Sequence, residues 1–120
     1  MIVAIPTEES HSGSPLCVSF GRAPYFMFYD TDKKTSEFFP NPGAKAAGGA
    51  GIQAAQFVVD HKAEALVTVR AGQNAGEVLL AAGVAVWKAS GHTAAEELKA
   101  LEAGNLSRLN SFHAGFHGRA

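Results

Sequence analysis

The stretch ALVTVRAGQNAGEVLLAAGVAVW, residues 65–87, decides the fold. Ala65 to Val69 reads as a strand, Asn74 caps a helix carrying Val78, Leu79 and Ala82, and Gly83 closes that helix before a second strand, Val84 to Trp87. Strand, helix and strand in this order make a βαβ unit, with the two strands parallel and the crossover right-handed.

Working outward toward the start, Ile2 to Ile5 is a short apolar run stopped by Pro6, the pattern of a strand buried on both faces. Thr7 to Ser19 mixes Ser, Gly, Pro, Glu and His without a period. It reads as a long loop, the kind that in a compact domain is functional or disordered, with Leu16 to Phe20 as a short extended piece. The aromatic run Tyr25 to Tyr29, the polar turn Asp30 to Lys34 and the run Ser36 to Phe39 predict an antiparallel hairpin over about 25–39. Asn41-Pro-Gly43 breaks the chain. Ile52, Ala55, Phe57, Val58 and Val59 predict a helix over 51–62 ending at the cations His61 and Lys62. Past the βαβ unit, Thr93 and Glu96 form a capping box, Leu98 and Leu101 supply a buried stripe, and Gly104 ends a third helix. The reading is one α/β domain over 1–109, a mixed sheet between helices in three layers, followed by a flexible C-terminal tail at 110–120.

The composition of the 120 residues agrees with one domain and excludes several classes. Apolar residues are 47% and charged residues 18%, neither a disordered tail nor a membrane protein. Ten basic against 11 acidic residues lack the surplus that phosphate-backbone contacts require, so nucleic acid is not an expected partner. The longest apolar run, Val78 to Trp87, is broken by Gly83 and too short to span a bilayer. The first residues have no basic region before Pro6 and do not read as a signal peptide. A lone Cys17 can build neither an internal disulfide nor a multi-thiolate metal site, which fits a reducing cytoplasm.

The topology predicts where a ligand sits. With the first strand parallel to the βαβ strands and the hairpin antiparallel to it, four segments return to one sheet edge: Gly21 to Pro24, Pro40 to Gly51, Arg70 to Asn74 and Lys88 to His92. Ligands of open α/β sheets lie outside the carboxyl ends of the strands. Gly48, Gly49 and Gly51 allow close backbone approach. The helix opening at Gly51 has no acidic residue in its first turn, so its positive end is free for an anion. Arg22, Arg70 and Lys45 add cations, and Gln73 and Asn74 add amide donors. Taken singly, each reads more readily as ordinary loop polarity, with Asn74 a helix cap and Arg70 a solvated strand end. Their convergence favours an anion site.

Phe20-Gly-Arg-Ala-Pro-Tyr-Phe26, together with Ile-Pro-Thr7, Gly-Ala-Gly-Ile-Gln-Ala-Ala55 and Gln73-Asn-Ala75, resembles the dinitrogenase iron-molybdenum cofactor biosynthesis family over about residues 1–104. The resemblance implies a ribonuclease H-like, nitrogenase accessory factor-like fold and non-catalytic binding or carriage of metal-sulfur clusters. It lies toward the orange protein branch of sulfate-reducing bacteria, which implies a molybdenum-copper sulfide cluster held without protein thiolates; the iron-molybdenum cofactor or a precursor is the other cargo it implies. Carried over, the resemblance maps its FGRA segment to Phe20, Gly21, Arg22 and Ala23 and its glycine-rich helix start to Gly49, Ala50 and Gly51; with the convergent loop residues, the expected cofactor-binding set is Ser19, Phe20, Gly21, Arg22, Lys45, Gly48, Gly49, Ala50, Gly51, Arg70, Gln73 and Asn74. Two departures stand out: Ser19 replaces a histidine common in the family, and Arg70 replaces a glycine. Both favour electrostatic capture over direct ligation.

Cys17 and His11, in the long first loop, are the candidate soft and imidazole ligands for copper, set against a small buried thiol and a solvated histidine. His113 and His117 have i, i+4 spacing, but Gly115 and Gly118 disfavour a helix there, and His92 reads as a surface imidazole. A nuclease would need carboxylates clustered on the central strands. Asp30 and Asp32 fall instead in the hairpin turn at the opposite edge. The glycine stretch lacks the Gly-Lys-Ser/Thr ending of a phosphate loop. The expectation is a non-enzymatic cluster carrier or assembly scaffold, with donor or acceptor proteins unidentified. The alternative is a module or enzyme that binds a small phosphorylated anion or nucleotide at the same helix start.

Overall fold

A computed structural model describes residues 1–110 and 112 of the chain. Five strands form one mixed sheet: β1 (Ile2–Thr7), β2 (Tyr25–Asp30), β3 (Thr35–Pro40), β4 (Ala63–Thr68) and β5 (Ala85–Lys88), in the order β3-β2-β1-β4-β5. The hairpin β2–β3 is antiparallel, as is β1–β2, whereas β4 and β5 run parallel to β1 and to each other. Helices α1 (Ala50–Asp60) and α2 (Gln73–Ala81) cover one face and α3 (Ala94–Glu102) the other, which makes three layers.

Strand alternation sorts the core. Ala4, Phe26, Phe28, Leu66 and Val86 face α1 and α2, while Val3, Ile5, Met27, Val67 and Trp87 face α3. On the first face the rings interlock: Phe28 meets Phe57 at 5.8 Å and His61 stacks on Phe28 at 4.7 Å. Burying a side chain such as Phe26 stabilises the fold by about 1.5–3 kcal/mol, so this cluster is a main anchor of α1.

The elements fall within two residues of where the sequence predicts them: α1 ends at Asp60, before the expected cations His61 and Lys62, and β4 spans Ala63–Thr68 where 65–69 is expected. Three further differences bear on the fold. Strand β1 continues through Pro6 to Thr7. The β4 ladder pairs only Ile2, Val3 and Ala4, so Pro6 lies where that neighbour asks for no N–H. Beyond it the extended piece of the first loop takes over: the Cys17 N–H donates to the Pro6 carbonyl at 2.8 Å, and Leu16 bridges Thr7. Helix α2 starts one residue before Asn74, with Gly72 in the cap position and no side-chain cap, so Asn74 is not the cap. On α3 the fully buried residues are Ala94 and Glu97, with Leu98 and Leu101 partly buried beside them. The capping box of Thr93 and Glu96 is present, and Gly104, at φ 75°, follows the helix end. Leu109 packs on the α1–α2 core, and the Phe112 ring lies against Gly76. Most of the expected C-terminal tail, with His113 and His117, lies outside the described residues. No described helix is long and apolar enough to cross a membrane.

Candidate functional site: an anion-receptive cleft

Beyond the carboxyl end of β4 lies a cleft of about 890 Å³, walled by segments 19–22, 47–52 and 70–75. The first wall is an arm positioned by packing. Phe20 is buried edge-on against Phe26 at 5.4 Å, Ser19 bridges Arg70, and the Arg22 N–H reaches the Ser19 hydroxyl at 3.3 Å. Gly21 lets the arm lie on α1: a Cβ there would stand 3.0 Å from the Gly51 nitrogen and 3.1 Å from its Cα.

The second wall is a strap from Asn41 to Gly49. Buried Asn41 roots it, donating through Nδ2 to the carbonyls of Gly21 and Ala23, each at 2.9 Å, and accepting the Gly43 N–H at Oδ1. Gly43 starts a 3₁₀ turn with Pro42, and a Cβ there would come within 2.6 Å of both the Ala50 and Gly21 carbonyl oxygens. Arg22 holds the middle, its Nη1 donating to the Ala46 carbonyl at 2.9 Å. The strap then enters α1 through Gly49 at φ 68°, a left-handed cap suited to glycine.

Two helix starts therefore meet in one cleft. Neither α1 nor α2 has a side-chain cap or an acidic residue in its first turn. The first-turn N–H groups of both are orphan donors at positive dipole ends, the arrangement that receives anions. Gln73 and Asn74 sit in the first turn of α2, exposed at the wall. Arg22 and Arg70 are exposed as well, and among the described residues the Arg70 guanidinium makes no hydrogen bond or ion pair.

The cleft brings together Ser19, Phe20, Gly21, Arg22, Gly48, Gly49, Ala50, Gly51, Arg70, Gln73 and Asn74. Lys45 is exposed on the strap outside the lining, and Lys88 to His92 line none of it. That fourth segment is instead closed off by the first loop: Leu16 N–H donates to the His92 carbonyl and Ala94 N–H to the Ser14 carbonyl. Beneath it the buried Glu97 carboxylate accepts from the Ser90 N–H and hydroxyl and from the His92 N–H.

The metal-ligand candidates stand apart. Cys17 is buried outside the lining, and burial pushes its thiol pKa up, away from the thiolate a soft metal needs. His11 is exposed with Nε2 at 2.6 Å from Glu9. Among the described residues no group of three or more His, Cys, Asp or Glu could hold a metal ion. Asp30 accepts the Asp32 and Lys33 N–H groups, ordinary turn chemistry that holds its carboxyl below the usual range. Asn41, Ala47 and Ile52 are parts of the site that the sequence reading passed over; Asn before Pro-Gly, a side chain able to cap its own turn, is the signal that could have marked Asn41.

Fold and cleft together describe a small three-layer α/β protein with an open cleft at one edge of its sheet. The family model described as dinitrogenase iron-molybdenum cofactor matches residues 1–104, and the chain belongs to that family. Among solved structures it is similar to a Thermotoga protein of the DUF35 family provisionally assigned as NifB, at 37% identity and a TM-score of 0.82 over 92% of this chain and 95% of that one. It is also similar to the apo form of the orange protein from Desulfovibrio gigas, at 27% identity and a TM-score of 0.87 over 92% and 93%. A Methanocaldococcus jannaschii protein at 16% identity, with a TM-score of 0.65 over 92% and 96%, shares the fold. No curated protein matches the chain. Family and orange-protein likeness support a cofactor-binding or carrier role.

Proposed function

We propose that this protein is a non-enzymatic carrier or assembly scaffold for an anionic molybdenum-sulfur cluster, of the molybdenum-copper sulfide type, held in the cleft between the two helix starts. One observation carries the reading: among the described residues the lining contains no Cys, His, Asp or Glu, yet it presents two arginines and two uncapped helix N-termini. Such a lining offers metals no strong protein ligand. It suits an anion whose metals are already satisfied by sulfide, which needs cations, N–H donors and apolar walls. Ala47, Ala50, Ile52 and Ala71 supply those walls. The iron-molybdenum cofactor or a precursor meets the same description.

A small phosphorylated anion is the second reading, favoured by the glycine-rich start of α1. Against it, among the described residues the lining has no lysine at that start and no carboxylate to hold magnesium beside a nucleotide. Purification without air, with visible spectrum and metal analysis, decides between them. Coloured protein containing molybdenum and sulfide supports the carrier. Colourless protein whose melting temperature rises with a nucleotide supports the alternative.

A further inference from the structure

Arg22 and Arg70 both line the cleft, but their guanidinium groups are engaged differently. Arg70 is unpaired among the described residues. Arg22 spends Nη1 on the strap, at 2.9 Å from the Ala46 carbonyl and 3.5 Å from that of Ala44. Below this point the strap is rooted by Asn41 and by the wedged Gly43. Above it, Ala47, Gly48 and Gly49 are exposed, and a Cβ on Gly48 or Gly49 would meet nothing within 4 Å. The Arg22 bonds are thus the side-chain fixing at mid-strap.

A guanidinium carries several N–H donors in a rigid planar fork. With Nη1 on the strap, Nε and Nη2 remain for an anion. We infer that Arg22 is a positioning residue that couples occupancy of the cleft to the order of the strap. An anion gripping Nε and Nη2 immobilises the guanidinium, which then fixes Ala46 and the Lys45–Ala46 peptide bond. Arg70 supplies charge without this mechanical role. The inference rests on the anion-binding reading of the cleft.

Limited trypsin digestion tests it, because Lys45 is exposed on the strap and the Lys33–Lys34 turn at the opposite edge serves as an internal control. The probe is tetrathiomolybdate, a small molybdenum-sulfur dianion, with its binding measured separately by equilibrium dialysis. In the wild type, bound probe slows cutting after Lys45 several-fold and leaves the Lys33–Lys34 turn unchanged. In Arg22→Met, cutting after Lys45 is roughly three- to tenfold faster without probe, as loss of one exposed charge-assisted bond allows, and bound probe no longer protects. Arg22→Lys, which keeps the charge but not the fork, binds probe and restores little of the protection. Arg70→Met binds probe less tightly while its empty strap is cut at the wild-type rate. If probe binds and protects Lys45 equally in wild type and Arg22→Met, or if Arg70→Met loosens the empty strap as Arg22→Met does, the inference is wrong. If probe does not bind wild type, the anion-binding reading fails and the inference with it.

Discussion

Gly43→Ala places one methyl group where the strap root has no room. The added Cβ would stand 2.6 Å from the Ala50 carbonyl oxygen and 2.6 Å from the Gly21 carbonyl oxygen, with Asn41 Oδ1 at 3.3 Å. Both close atoms are backbone, so neither can swing away as a side-chain tip would. Ala50 O belongs to the first turn of α1, and Gly21 O accepts the Asn41 amide at 2.9 Å. Relief requires moving the helix start from the arm and weakening that part-buried hydrogen bond. Overpacking of this kind costs about 1–3 kcal/mol, and the strained bond adds about 1 kcal/mol. We expect about 3 kcal/mol of lost stability, or roughly 10–15 °C in melting temperature for a domain of this size. Gly48→Ala is the matched control: nothing lies within 4 Å of its Cβ and its φ is not positive, so its stability should stay within about 0.5 kcal/mol of wild type. Urea unfolding of the three proteins with a common m-value reads both numbers. A Gly43→Ala midpoint indistinguishable from that of Gly48→Ala would refute the wedged-root geometry.

Lys62 follows α1 at φ 63°, a conformation that favours glycine, so Lys62→Gly should stabilise the fold by about 1 kcal/mol in a thermal melt; an unchanged or lower melting temperature contradicts this. Glu97→Ala strips the acceptor from the Ser90 N–H and hydroxyl and the His92 N–H at a fully buried site, so denaturant unfolding should show a loss of about 3 kcal/mol, with Glu97→Gln losing less. The Thr93 N–H and hydroxyl hold the Glu96 carboxyl below its ordinary pKa of 4.5. A group depressed in the fold stabilises fully above its unfolded pKa and stops doing so as pH falls through the folded one. Glu96→Gln should therefore lose less stability than wild type on acidification below about pH 5, and parallel pH profiles would contradict the assignment.

Local signals made much of this fold legible. Thr93 and Glu96 form their capping box within four residues, the aromatic run and polar turn define the hairpin, and the βαβ stretch sets the parallel half of the sheet. From strand directions alone, three of the four expected segments could be brought to one edge. What escaped depends on partners distant in sequence. Pro6 stays in β1 because β4 has stopped pairing there and Cys17 has arrived. Lys88 to His92 leave the cleft because the first loop docks on them over Glu97, a contact that no periodicity announces. Asn41 looked like a chain break because its two amide acceptors are 18 and 20 residues away. Asn74 was a plausible cap, yet the extended backbone of Gly72 takes that position and leaves the amide free at the wall.

The central claim is that the cleft holds its anion with cations and N–H donors in place of ligand atoms. Anaerobic reconstitution of the molybdenum-sulfur cluster in wild type, Arg70→Glu and Cys17→Ser, with bound molybdenum measured after gel filtration, tests it most directly. Arg70 is exposed and, among the described residues, unpaired, so reversing its charge turns attraction into repulsion at little cost to the fold. Molybdenum retention should fall sharply in Arg70→Glu, should weaken in wild type as salt rises, and should be nearly unchanged in Cys17→Ser. Full retention in Arg70→Glu with loss in Cys17→Ser would contradict the account and make Cys17 a direct metal ligand.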